Sequence, residues 1–416
     1  ISPILTDFKN DIILNKALFE KVKKVYDQKD ALTLTVEQQT LLDKKYKMFA
    51  RNGADLSDEK QQQLREIDKK LSSLSLKFGE NVLAETNKFE LHLTDEQDLK
   101  GLPHSARSAA RLLAKSKNKE GWIFNLHHPS YLPFMQYAEN RELRKKMALA
   151  FGAKGFHGDE LDNQENVLQI VKLRHQKANL LGFPTYAHYI LEERMAETPE
   201  KVDGFLQELA EKARPAAQKE FRELESFAKE IDQIDRLEKW DGAFYSEKLK
   251  KKLFDLDDEA LKPYFELSQV IHGVFLISEK LYGLKFKEVF DVDTYHEEVK
   301  TFRVTDQYDN DISLFYADFH PREGKRGGAW MTSYKPQQQR YGKNERPHIS
   351  IVCNFTKPTE EEPSLLTFDE VTTLFHEFGH ALHFFSSDVK YPTLNSGVRD
   401  YTEFQSQLLE RWLSTD

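Results

Sequence analysis

Between Thr373 and Phe385 the chain reads Thr-Leu-Phe-His-Glu-Phe-Gly-His-Ala-Leu-His-Phe-Phe, and inside it His376-Glu377-x-x-His380 sets two imidazoles four residues apart. On a helix that spacing puts both rings on one face, one turn apart, which is half of a zinc site. Glu377 lies about 100° round the helix from His376, within reach of a water on the same metal, so one turn supplies both ligands and a base for hydrolysis. The competing reading is an accidental match. Against it, Leu374, Phe375, Phe378, Leu382 and Phe385 give the helix an apolar surface to bury, and Gly379 permits close approach by a neighbour. Two histidines on a buried helix need a reason.

A hydrolytic zinc site takes a third protein ligand and keeps one position open. The metzincin continuation is excluded, because His383 and Ser386 stand where it requires Gly and His. His383 shares the face of the pair, but seven residues from His376 is about 10.5 Å of helix rise, so it reads as a supporting or packing residue. Arg399 to Trp412 reads as a second helix with Asp400, Glu403 and Glu410 along one stripe. Glu403 follows His376 by 27 residues, room for a turn through Pro392, Asn395 and Gly397 and a return beside the first helix. Spacing alone leaves the three acids as alternatives, and a solvated acidic face is the bland reading of the stripe.

Phe375-His376-Glu377-Phe378-Gly379-His380-x-x-His383, followed by Arg399-Asp400-Tyr401-x-Glu403-Phe404-x-Ser406-Gln407, resembles the thimet oligopeptidase family (M3) of zinc metallopeptidases, and within it the bacterial peptidyl-dipeptidase (dipeptidyl carboxypeptidase) branch. The resemblance extends through Leu173-Arg174-x-x-x-Ala178-x-Leu180-Leu181-Gly182-Phe183, Leu261-Lys262-Pro263-Tyr264-Phe265-Glu266-Leu267 and Gly327-Gly328-Ala329-Trp330-Met331, and covers nearly the whole chain. It implies one zinc ion held by His376, His380 and Glu403, with Glu377 as general base. It also implies a mostly α fold, a large helical body with a small β region beside the zinc helix, lining a deep channel that admits short peptides. The implied reaction is release of dipeptides from the C-terminus, with internal cleavage by an oligopeptidase as the alternative; a non-catalytic helical scaffold is the reading of another class. Gln405 departs from the family pattern, which usually has Pro there, and bears on how that helix starts. The resemblance further implies that oxyanion donors come from a Tyr- and His-containing segment well downstream of the third ligand. The expectation is therefore a chain truncated at both ends and inactive alone, with Tyr334, Tyr391 or His383 as donors should it prove active.

The elements that must position these residues follow from periodicity. A predominantly helical region is expected over 1–290 and a catalytic zinc-binding region over 291–416. Leu14, Leu18, Val22 and Val25 predict one helix over 11–28, Thr35-x-x-Gln38 a capping box, and Leu64, Ile67, Leu71, Leu74 and Phe78 a long amphipathic helix from Ser57 to about Lys88. Short strands are expected at 89–93 and 122–126, with His127-His128-Pro129 as a loop. After a helix over 267–281, strands are expected at 299–305 and 312–319 around the Asp309-Asn310 turn, and at 348–355. Gly327 to Met331, with Gly328, Ala329 and Trp330 at its centre, is the candidate strand edge for binding substrate by main-chain bonds, against a buried turn with Trp330 in the core.

The balance of 60 basic to 69 acidic residues gives a net charge of −9 with no concentrated basic stripe, which argues against nucleic acid or an anionic membrane. No apolar run approaches the ~20 residues of a membrane span. The single cysteine, Cys353, fits a reducing compartment. The expected protein is a monomer acting on short peptides in the cytoplasm, or in the periplasm should an upstream signal have been removed.

Overall fold

The computed structural model describes residues 1–360 and 362–414 and is mostly helical. α1 (Ser2–Ile13) and α2 (Lys16–Tyr26) replace the single helix expected over 11–28. The chain breaks there because the Asn15 side chain accepts from the Leu18 N–H and starts a new helix; a short amide side chain competes with the backbone for its own donors. α3 (Val36–Ala50) begins at the Thr35/Gln38 capping box, and α4 (Asp58–Lys88) is the long amphipathic helix, packed against α1.

β1 (Leu91–Leu93), α5 (His104–Ser116) and β2 (Trp122–Phe124) follow, the two strands pairing antiparallel. α6 (His128–Tyr137) takes up His128 of the histidine pair expected in a loop, while His127 is the extended residue just before the helix. Pro129 sits in its first turn, where a missing N–H is no loss. α7 (Arg141–Gly152), α8 (Gln164–Leu180), α9 (Tyr186–Leu191), α10 (Pro199–Asp232), α11 (Gly242–Phe254) and α12 (Asp258–Leu261) complete the helical body. Buried Arg144 ties α7 to the segment before α11, donating to Asp241 Oδ1 at 3.2 Å and to the carbonyls of Ala138 and Trp240. A guanidinium is tolerated in the interior because each of its three nitrogens finds an acceptor and Asp241 balances its charge.

The texture then changes. α13 (Leu267–Tyr282) ends at Gly283, whose φ of +68° is a left-handed cap. β3 (Lys285–Glu288), β4 (Lys300–Thr305), β5 (Asp311–Asp318), β6 (Trp330–Lys335), β7 (Gln338–Arg340), β8 (Lys343–Glu345) and β9 (His348–Val352) follow. Five of them form a mixed sheet in the order β3-β4-β5-β9-β6, while β7 and β8 form a two-stranded ribbon. The β4–β5 hairpin is the one expected. β9 pairs parallel to β5 and antiparallel to β6, which leaves β6 at the sheet edge.

α14 (Phe368–Phe385) lies against this sheet. Phe378 packs among Phe275, Phe286 and Phe315, and Phe385 against Phe286 and Phe315. The same core takes in Leu267, Val270 and Val274 of α13 and Ile349 and Ile351 of β9. Aromatic and branched side chains from three layers thus hold the histidine helix rigidly. α15 (Phe404–Glu410) packs against α14 as the last α-helix described.

Candidate metal centre

α14 is started firmly. The Thr367 hydroxyl accepts from the Glu370 N–H, and the Glu370 carboxylate accepts from the Thr367 N–H. Nine residues on, the His376 and His380 rings stand with centroids 5.0 Å apart at 84°. Each presents Nε2 to the same oxygen, Oε2 of Glu403, at 3.1 Å. One donor atom from each residue lies within 4.8 Å of the others, the sole such group of three or more metal-ligating side chains among the described residues.

Tertiary structure brings Glu403 there, along a path that departs from expectation. Arg399 to Trp412 is not one helix. Arg399–Tyr401 is a 3-10 turn, Glu403 is the residue preceding α15, and α15 covers only Phe404–Glu410. The break separates three acids that a continuous helix would have kept on one stripe. Asp400 accepts from the Met195 N–H at 3.2 Å, Glu403 meets both imidazoles, and Glu410 Oε1 lies 2.6 Å from His376 Nδ1. Buried Ser406 donates to Glu403 Oε2 or to its carbonyl, each at 3.0 Å, steadying the carboxylate.

Two further features hold the return segment. The His383 Nε2–H donates to the Asn395 carbonyl at 3.1 Å, and the Asn395 side chain donates to the Gln337 carbonyl at 2.6 Å. His383 therefore secures the loop and stands outside the donor group. At Gly379 an added Cβ would lie 2.7 Å from the Gln405 oxygen and from the Ser406 Cα, so only glycine lets α15 approach this closely.

Glu377 is buried, with no hydrogen-bond partner for Oε2. Burial pushes its carboxyl up to about 7, with His376 opposing and Glu403 pushing the same way. Burial pulls His380 below its ordinary value, toward the neutral form. For Glu403 burial acts upward, but the Ser406 hydroxyl and the two imidazoles outweigh it and hold the carboxyl below its usual range. Two imidazoles and a carboxylate, with an unpartnered acid beside them, are the donor chemistry of a zinc site that keeps a position open. The residues fit zinc.

The candidate substrate strand divides between two environments. The Gly328 carbonyl accepts from the Asn354 side chain at 2.7 Å, and Gly328 adopts φ +95°, a turn geometry suited to glycine. Ala329 and Met331 pack against the core that holds α14. Trp330 is half-buried and carries the Arg326 guanidinium 4.8 Å from its ring centroid, so it is not the core residue of the buried-turn alternative. Tyr334 packs edge-on against Tyr316, whose neighbour Phe315 contacts α14; alternation along β5 therefore puts both tyrosines on the sheet face turned away from α14. Sequence reasoning placed Glu410 on the acidic stripe but missed its contact with His376, and it included Ser406 in the motif without giving it a role. The seven-residue interval from Glu403 to Glu410, two turns, was the available signal.

Among the described residues no helix is long and apolar enough to cross a membrane. The chain is 38% identical over 418 residues to oligopeptidase A of Salmonella typhimurium, an alignment covering 99% of this chain and 62% of that protein. It is 34% identical over 412 residues to dipeptidyl carboxypeptidase of Escherichia coli, covering 98% of this chain and 60% of the relative. An organellar oligopeptidase A of Arabidopsis thaliana is 36% identical over 432 residues, covering 99% of this chain and 54% of the relative. The chain thus spans less than two thirds of the length of these relatives. Residues 134–416, the part that includes the sheet, α14 and the return to Glu403, match the profile of peptidase family M3, and the chain belongs to that family.

Proposed function

We propose that this chain carries the centre of a zinc metallopeptidase acting on short peptides, with His376, His380 and Glu403 holding one zinc ion and Glu377 as general base. The observation that supports it best is the meeting of both Nε2 atoms on one oxygen of Glu403, a residue 27 positions after His376 and 23 after His380. Residues 291–416 form the catalytic region in this reading, packed on the helical region 1–290.

When bound, zinc supplies the Lewis acidity that polarises a peptide carbonyl and acidifies a water molecule. The protein does the rest. Glu377 has a free Oε2 with which to take a proton from the attacking water and later deliver it to the departing amine nitrogen. Ser406 and the packing of α14 hold the donor group in place, so little reorganisation accompanies the reaction. The edge of β6, which has no further strand beside it among the described residues and is preceded by Gly328 and Ala329 with Trp330 as its first residue, is suited to pair with an extended peptide, giving affinity through main-chain bonds without demanding one side chain.

Release of dipeptides from the C-terminus is our first reading of the cleavage mode and internal cleavage the second; relatives of both names match the chain to similar extents. We further propose a monomer in a reducing compartment, the cytoplasm, in keeping with one fully buried cysteine. Elemental analysis of protein purified without added metal should find one zinc per chain; none would return the scaffold reading. Mass spectrometry of products from one unblocked and one C-terminally amidated peptide separates the modes. Dipeptides from the unblocked peptide alone mark a peptidyl-dipeptidase, and internal cuts in both mark an oligopeptidase.

A further inference from the structure

The acids of the return segment face different partners, and Glu410 has a place that metal ligation leaves unexplained. Glu410 Oε1 lies 2.6 Å from His376 Nδ1, while Glu403 Oε2 lies 3.1 Å from Nε2 of the same ring. One imidazole is therefore bracketed by two carboxylates, one inside the donor group and one behind it. A neutral imidazole that offers the Nε2 lone pair must carry its proton on Nδ1, and a carboxylate at this distance accepts a hydrogen bond from that N–H. The two histidines also differ in what else holds them. The His380 side chain is 11% exposed and is fixed by packing, whereas that of His376 is 27% exposed and relies more on a polar tether.

The tether and the third donor share one element. Glu403 directly precedes α15 and Glu410 ends it, and Leu409 beside Glu410 is buried in the core with α14. Contact at Gly379 sets α15 against α14 with little freedom. We infer that Glu410 is a positioning residue for the metal centre. It holds His376 in the tautomer and orientation that present Nε2, and its carboxylate makes that nitrogen a stronger donor. α15 therefore supplies a ligand at one end and orients a second ligand at the other. The inference rests on the zinc reading of the site.

Competition of the full chain against a chromogenic chelator, for wild type, Glu410→Gln and Glu410→Ala, tests it. Loss of a carboxylate behind a ligating histidine typically weakens metal binding 10- to 100-fold, and Glu410→Ala is expected in that range. Glu410→Gln keeps an acceptor oxygen without the charge and should fall between Ala and wild type. The cobalt(II) visible spectrum should shift in Glu410→Ala, and the metal-free melting temperatures of all three proteins should agree. Wild-type affinity in Glu410→Ala would overturn the inference. So would equal losses in both variants that track a drop in metal-free stability, because that pattern marks a structural contact only. A wild-type chain that takes up no zinc would overturn the metal reading itself, and this inference with it.

Discussion

Gly379→Ala should disconnect the two halves of the centre while changing none of its chemical groups. The added Cβ would stand 2.7 Å from the Ser406 Cα and from the Gln405 oxygen, and 3.2 Å from the Gln405 carbonyl carbon. Carbon atoms pack at about 3.5–4.0 Å, so the overlap with Ser406 amounts to roughly 1 Å. All three atoms belong to the backbone next to Glu403, so no side-chain rotation relieves it and α15 must move. Metal sites tolerate about 0.2 Å in ligand position; a shift several times larger should weaken zinc binding on the order of 10- to 100-fold, comparable with losing a supporting contact. Two effects oppose each other in stability. Alanine gains about 1 kcal/mol of helix propensity over glycine, and overpacking costs about 1–3 kcal/mol, so a modest net loss is expected. Gly273 in α13 is the matched control: its added Cβ meets nothing within 4 Å, and Gly273→Ala should be stabilising by about 0.5–1 kcal/mol with zinc binding unchanged. Chelator competition and denaturant midpoints on both variants complete the assay. If Gly379→Ala binds zinc as tightly as wild type and gains stability as Gly273→Ala does, the close approach of α15 does not hold the site together.

Glu403→Ala should lower zinc affinity far more than Asp400→Ala, whose carboxylate is engaged with the Met195 N–H; equal losses in the same competition assay would remove the reason for choosing Glu403. In a form of the enzyme as long as its relatives, Glu377→Gln should leave zinc bound while lowering turnover of a short peptide by about 10²–10⁴; undiminished turnover would assign the base elsewhere, and lost metal would make Glu377 a ligand. Asp318→Ala should cost about 3–5 kcal/mol in urea unfolding, because it strands the ammonium of Lys325, a side chain only 4% exposed that donates to Asp318 at 2.8 Å. In the wild type, burial favours the neutral Asp318 but hydrogen bonds from Arg322 and Lys325 outweigh it and hold the carboxyl at about 2. The ordinary value is about 3.9, so this stabilisation is complete above about pH 4 and fades as pH falls toward 2. Urea midpoints between pH 6 and pH 2.5 should decline more steeply in wild type than in Asp318→Ala, and parallel declines would refute the assignment.

What was legible in the sequence was what four or five neighbouring residues decide. The His376–His380 pair lies on a helix because one turn of apolar and capping residues makes that helix, and Gly379 marks a close approach because no other residue permits one. The Thr35 capping box, the long helix after Ser57 and the β4–β5 hairpin are local in the same sense. The Asn15 cap that divides the first helix was also local, but apolar periodicity across it hid the signal. β3, β7 and β8 could not be seen that way: each is short, and it becomes a strand only through a partner elsewhere in the chain, while of β6 only the start was anticipated, in the candidate strand edge at 327–331. The three acids of the return segment were equivalent to spacing for a related reason. Tertiary structure divided them by breaking the segment before Phe404, sending Asp400 to Met195, Glu403 to both imidazoles and Glu410 to the far side of His376. Local sequence sets which face a side chain occupies on its own element. Which group waits opposite that face depends on packing between elements far apart in the chain, and at this site the Gly379 contact and the Asn395 clamp decide it.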